Sequence, residues 1–157
     1  SGGVKLYIDG SGGARTAWMY DDWSMAYRDV DRGNRGYPTS DADTMRLLIR
    51  QYHDAGMHVS VHAIGDRGID LVMDSYDKAM RENPKRGLRH GIIHANIPSD
   101  HSIAVMARLQ REMDAGYPEP SASFNWWLGD SYAGNFGEKR ALRLNRWLEA
   151  GRLEARG

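Results

Sequence analysis

The chain has 157 residues, 41% hydrophobic and 27% charged, the balance of one soluble globular domain whose core needs no covalent staples. Lys+Arg and Asp+Glu stand at 21 each, so net charge supplies no pull toward nucleic acid or an anionic membrane. No apolar run approaches the about 20 residues of a spanning helix, and the lack of cysteine excludes disulfides, thiolate zinc sites and cysteine nucleophiles.

Ser1-Gly2-Gly3 has the look of a cut edge or a tag remnant, and nothing in composition sets the compartment beyond a default cytoplasmic expectation. Residues 4–8 are expected to form a strand, with Lys5 and Tyr7 on one face and Val4, Leu6 and Ile8 on the other. Residues 10–38 are rich in Gly, Asp and Arg without a period, a long loop. Met45, Leu48, Ile49 and Tyr52 then repeat at helical spacing over 41–55, with Ser40 as the start signal and Gly56 as the stop.

A second strand is expected over 57–63, followed by a helix over 66–82 whose apolar positions are Ile69, Val72, Met73, Tyr76 and Met80. Pro84 prevents its continuation. A strand over 88–94 precedes a helix capped by Ser99 and closed by Gly116, with Ile103, Met106, Ala107 and Met113 facing inward. A weaker strand at 121–124, a loop at 125–137 carrying Trp126 and Trp127, and a helix over 138–150 complete the order. Short strands alternating with helices of this length give an α/β fold with parallel strands, formed by right-handed crossovers. Both long loops follow strands, which puts them at the C-terminal edge of the sheet, where ligand sites form.

The six histidines differ in placement. His53 and His101 fall within helices and are expected to be exposed; His58 and His90 lie near strand starts, away from the active edge. His62 and His94 each end a strand, so both rings face one mouth, either as ligands of a divalent metal or as hydrogen-bonded structural histidines. Lys5 is a lysine in an otherwise apolar strand; spacing alone favours a solvated residue over a chemically altered one.

Several of these segments resemble one family. Residues 4–10 followed by Gly13-Ala14-Arg15-Thr16-Ala17 resemble the "VKLYADGSLGSRTA" stretch of the amidohydrolase superfamily, in its amidohydrolase-3 group, which includes YtcJ-like proteins. Residues 33–37 are similar to its "GNRG" turn, residues 61–67 to "VHAIGDRA", and residues 89–95 to "RHRIEHAQ". The likeness is close over residues 4–98 and loose beyond.

The resemblance implies a (β/α)8 TIM barrel with a divalent metal, zinc by preference, at its C-terminal mouth. It implies hydrolysis of an amide or related C–N bond in a small molecule, with the metal activating water and polarising the carbonyl. Lys5 matches a lysine that bridges two metals as a carbamate, His62 and His94 match the histidines after the fifth and sixth strands, and Arg15, Arg67, Trp126 and Trp127 would lie near substrate.

This sequence lacks the family's His-x-His pair and last-strand aspartate, and has Ile93 where the family often has Glu. The expected architecture is therefore a single partial barrel of about strands four to seven over residues 1–157, a half-barrel with flanking helices. Three outcomes are expected: a fragment of a hydrolase, itself inactive; a non-catalytic half-barrel that self-associates through its open sheet edge; or a plain α/β domain whose histidines are structural.

Overall fold

The computed structural model describes residues 3–23, 32–85, 87–88 and 90–114. Three β/α units follow in order: β1 (Val4–Tyr7), α1 (Ala42–Asp54), β2 (Val59–Ala63), α2 (Asp66–Glu82), β3 (Gly91–His94) and α3 (Asp100–Asp114). The strands form one parallel sheet in the order β1-β2-β3, with Tyr7 in register with His62 and Ala63 with His94. The strand expected at 121–124, the helix at 138–150, the loop at 125–137 and the stop at Gly116 lie outside the described residues.

The helices pack on the sheet face that carries Val59, Val61, Ala63 and Ile92, all excluded from solvent. Each of the valine and isoleucine side chains contributes about 1.5–3 kcal/mol by leaving water. Between α1 and α3 lies α2, which contacts both of them as well as β2. Its burial therefore extends well beyond one stripe, to Ile69, Leu71, Val72, Met73, Tyr76 and Ala79. Truncating Ile69 to Ala here would cost about 2–5 kcal/mol. The opposite face is uncovered among the described residues: Lys5 and Tyr7 are exposed, and Ser60, His62 and Ile93 are half-buried. Among the described residues, no helix is long and apolar enough to cross a membrane.

Four sequence expectations need correction. The cap of α1 is Asp41, not Ser40: its carboxylate accepts from the backbone N–H of Asp43 and Thr44 at 3.0 and 2.8 Å. His53 is fully buried, not exposed, because it extends the inward row Met45, Ile49, His53 at spacings of four. The first strand stops at Tyr7, although Ile8 still donates its N–H to the carbonyl of His62 at 3.0 Å.

β2 and β3 also begin later than expected, because side chains occupy the backbone groups a longer ladder would use. His58 Nδ1 donates to the Leu88 carbonyl at 2.8 Å, and the Val59 N–H donates to His90 Nδ1 at 3.1 Å. Ser99 caps α3 as expected, its hydroxyl accepting from the Ser102 N–H at 3.0 Å.

The described parts of the 10–38 loop have their own small core, in which Ala17, Met19 and Trp23 pack with Ile64 and Ile97. Ile64 and Ile97 follow β2 and β3, so this loop is seated on the C-terminal edge of the sheet. Gly36, at φ +64°, lies so close to the loop that a Cβ there would fall 2.0 Å from the Ala17 carbonyl oxygen.

Candidate functional site

β2 delivers His62 to the uncovered face of the sheet, at the C-terminal edge, with the Tyr7 ring 5.4 Å away on the neighbouring strand. His62 Nε2 lies 2.7 Å from the Gly10 carbonyl oxygen. A carbonyl only accepts, so Nε2 carries a proton, and in the neutral form of the ring the lone pair falls on Nδ1. The backbone just after β1 thereby sets which nitrogen of His62 carries its hydrogen-bonding proton.

His94 reaches the same place by a different route. Its register partner is Ala63, which faces the helices, so strict alternation would send His94 into the core. Instead the backbone is left-handed at His94 and at Ala95, with φ of 83° and 46°. The alternation breaks there, and the imidazole lies 4.8 Å from His62, edge to face. Such residues cost about 1–3 kcal/mol each and persist only where the surroundings impose them. Burial pushes the His94 pKa below its usual 6.5, and the proximity of His62 and Lys5 pushes the same way. The ring is therefore neutral at pH 7, and no hydrogen bond to its nitrogens is found among the described residues.

Lys5 shares the face of Tyr7, with its ammonium 4.9 Å from the centre of the Tyr7 ring. An ammonium has no lone pair to give a cation, whereas a carbamylated Lys5 would be an anionic oxygen donor. The two imidazoles fit without alteration: one has a free Nδ1 and the other is neutral. Among the described residues no three His, Asp or Glu side chains gather as a ligand cluster, so this part of the site is an incomplete donor set.

Sequence reasoning missed Asp9. Its side chain is completely buried, one residue before the carbonyl that holds His62. It accepts from the N–H groups of Trp18, Ile64 and Gly65 at 3.0, 3.0 and 2.8 Å, tying the loop after β1 to the turn between β2 and α2. Burial pushes its carboxyl above the usual range, against the pull of these donors and of His62. The signal was an acid ending an apolar strand in Leu6-Tyr7-Ile8-Asp9-Gly10.

The other residues assigned to substrate are placed unevenly. Arg67, in the first turn of α2, lays its guanidinium over Trp18 and Tyr20, 4.5 and 5.8 Å from their ring centres. Arg15 lies in the turn after Ser11, with a left-handed φ of 56° and its carbonyl held by Asn34. Trp126 and Trp127 lie outside the described residues.

Three more histidines occupy the opposite end of the strands. Val59 N–H donates to His90 Nδ1, so His90 carries its proton on Nε2, 2.8 Å from His53 Nδ1. His53 in turn donates from Nε2 to the Asn83 carbonyl at 2.7 Å. Every proton in this chain is accounted for, and both rings are neutral. His90 stacks on Tyr76, whose hydroxyl donates to the carbonyls of Val59 and Gly91. These side chains tie the starts of β2 and β3 together. His101 remains exposed and pairs with Asp74 at 2.7 Å.

A model of the amidohydrolase family matches residues 1–152. Among curated proteins, the chain is 32% identical over 125 residues to YtcJ of Bacillus subtilis (strain 168), a protein named as an amidohydrolase; the match covers 80% of this chain and 22% of YtcJ. It is 34% identical over 95 residues to the Arabidopsis thaliana protein LONG AFTER FAR-RED 3, covering 60% of this chain and 15% of that protein.

Two solved structures of uncharacterised metal-dependent hydrolases share its fold. The one from Pyrococcus furiosus has a TM-score of 0.61 and 25% identity, over 88% of this chain and 26% of the other. The one from Pyrococcus horikoshii has a TM-score of 0.54 and 27% identity, over 67% of this chain and 19% of the other. The chain thus spans about a quarter or less of each relative's length. Its three β/α units are those of a partial (β/α)8 barrel.

Proposed function

Because the chain belongs to the amidohydrolase family, we propose that it forms part of a metal-dependent enzyme that hydrolyses an amide or related C–N bond in a small molecule. The observation that carries this reading is the His62–His94 pair, brought together at the ends of adjacent strands by a left-handed backbone at His94. The two rings meet edge to face beside Lys5, with His94 held out of strand alternation to do so. In this reading His62 Nδ1, a His94 nitrogen and a carbamylated Lys5 are ligands of a divalent metal, zinc being the ion best suited to imidazole donors at such a mouth. A metal held there supplies Lewis acidity to the scissile carbonyl.

The residues of this chain present donors and exclude alternatives: Gly10 holds the His62 tautomer, and burial keeps His94 unprotonated. Arg15, Arg67, Trp126 and Trp127 are proposed to line the path of substrate. Among the described residues, the two imidazoles and the lysine bring no further group beside them to take a proton from water, and with this donor set the 157-residue chain is expected to have little or no amidase activity.

A second reading rests on the sheet face left uncovered among the described residues, where Lys5 and Tyr7 are exposed. A half-barrel with open parallel edges can pair with a second copy and act as a binding or assembly module. One experiment addresses both readings: bound metal and oligomeric mass of the purified chain, for wild type and His62→Ala/His94→Ala. Stoichiometric zinc lost in the double variant supports the metal site, and a dimer supports the second reading. A metal-free wild type after incubation with zinc and bicarbonate refutes the metal site in this chain.

A further inference from the structure

We propose that Asp9 is a positioning residue that keeps His62 protonated on Nε2 and leaves Nδ1 free as a donor. The consequence for metal binding rests on the proposed metal site; the statement about the tautomer does not.

Asp9 connects three segments. Its Oδ2 accepts from Trp18 N–H and Gly65 N–H, and its Oδ1 from Ile64 N–H. Oδ1 also faces His62 Nε2 at 3.7 Å, too far for a hydrogen bond but on the side of the ring that carries the proton. The next residue is Gly10, whose carbonyl takes that proton at 2.7 Å. A negative charge and a carbonyl oxygen thus both favour the N–H on Nε2. Because the carboxylate is pinned to the turn that follows β2, the acceptor and the ring move as one unit. This is the role that outer partners of a metal-bound imidazole commonly play.

Asp9→Asn distinguishes positioning from simple packing, because the shape is kept. The N–H groups of Trp18 and Gly65, with Ile64 shared between the two oxygens, converge on Oδ2, so the amide oxygen of Asn stays there and the NH2 group falls where Oδ1 was. A donor then faces His62 Nε2 and favours a lone pair on it, shifting the proton toward Nδ1.

The test is long-range proton–nitrogen NMR on the 15N-histidine-labelled, metal-free chain at pH 7.5, with the His62 signals identified by their loss in His62→Gln. Wild type is expected to show the Nε2–H pattern, and Asp9→Asn a mixed or Nδ1–H pattern. Zinc alone is then titrated, and affinity is expected to fall about 10–100-fold in Asp9→Asn. Asp70→Asn, another buried acid away from His62, should leave the pattern unchanged. A folded Asp9→Asn that keeps the Nε2–H pattern overturns the proposal, whatever happens to zinc. Failure of wild type to bind zinc while the tautomer shifts overturns the metal reading and leaves Asp9 as a positioning residue.

If Asp9→Asn does not fold, Gly68→Ala serves instead. Its Cβ would lie 3.1 Å from Asp9 Oδ2 and displace the carboxylate without removing its charge. Altered His62 nitrogen shifts in that variant support the proposal, and unaltered shifts refute it.

Discussion

Acid should unfold this protein through His90. Protonating His90 at Nδ1 requires expelling the Val59 N–H that donates there, and the cation would sit among His53, His58 and the stacked Tyr76 ring. Burial, reinforced by the proximity of the titratable His53 and His58, lowers its pKa from 6.5 to about 4. The unfolded chain therefore binds more protons than the folded one between these values. The stabilisation is complete above pH 6.5, is lost as pH falls toward 4, and does not change further below that.

At about 1.36 kcal/mol per unit, the loss is about 3 kcal/mol, a sizeable share of a typical 5–15 kcal/mol stability. Urea unfolding followed by circular dichroism at pH 7.5, 5.5 and 4.0 should show the midpoint falling by about 1–3 M, for slopes typical of small domains.

Other groups titrate in this window. Burial raises the carboxyls of Asp9 and Asp70, and a raised acid contributes with the opposite sign, gaining stability as pH falls. The decisive quantity is thus the difference between wild type and His90→Asn. The Asn oxygen can still accept from Val59 N–H, but it has no proton to gain. The variant should be less stable at pH 7.5 and markedly less sensitive to acid. Parallel pH profiles for the two proteins would refute the assignment of acid sensitivity to His90.

The left-handed backbone at His94 predicts an inverted order of substitutions: His94→Gly should be about 1 kcal/mol more stable than His94→Ala, since only glycine adopts φ near 83° without strain. Thermal melts of the two variants decide it, and an alanine variant of equal or greater stability contradicts the strain. Gly65→Ala should destabilise by about 1–3 kcal/mol or more, because its Cβ would fall 2.1 Å from the Trp18 carbonyl oxygen, which is backbone and cannot rotate away. A melting temperature within a degree of wild type would contradict that contact.

Much of the fold was legible because its signals are local. The apolar spacing of Ile69, Val72, Met73 and Tyr76 specifies a buried helix face whatever surrounds it, and all four are buried. Strand ends at Ala63 and His94 follow from the same kind of pattern, and so does the placement of two histidines at one sheet edge.

What escaped the sequence depended on partners far along the chain. His53 looked exposed because a lone histidine on a helix carries no sign that His90, 37 residues away, will satisfy it. β2 and β3 start later than periodicity predicts because side chains of His58 and His90 take backbone groups that periodicity assigns to the ladder. Asp9 went unnoticed because its donors arrive from residues 9 and about 55 positions away.

The sequence by itself therefore determined the parallel α/β order, the helix faces and the two histidines at the mouth, since these rest on repeats of two and 3.6 residues. Only the tertiary structure decided that His94 turns out of the core to meet His62, and that His62 keeps Nδ1 free. Those outcomes depend on a left-handed backbone and on one carbonyl, and neither leaves a periodic trace in the chain.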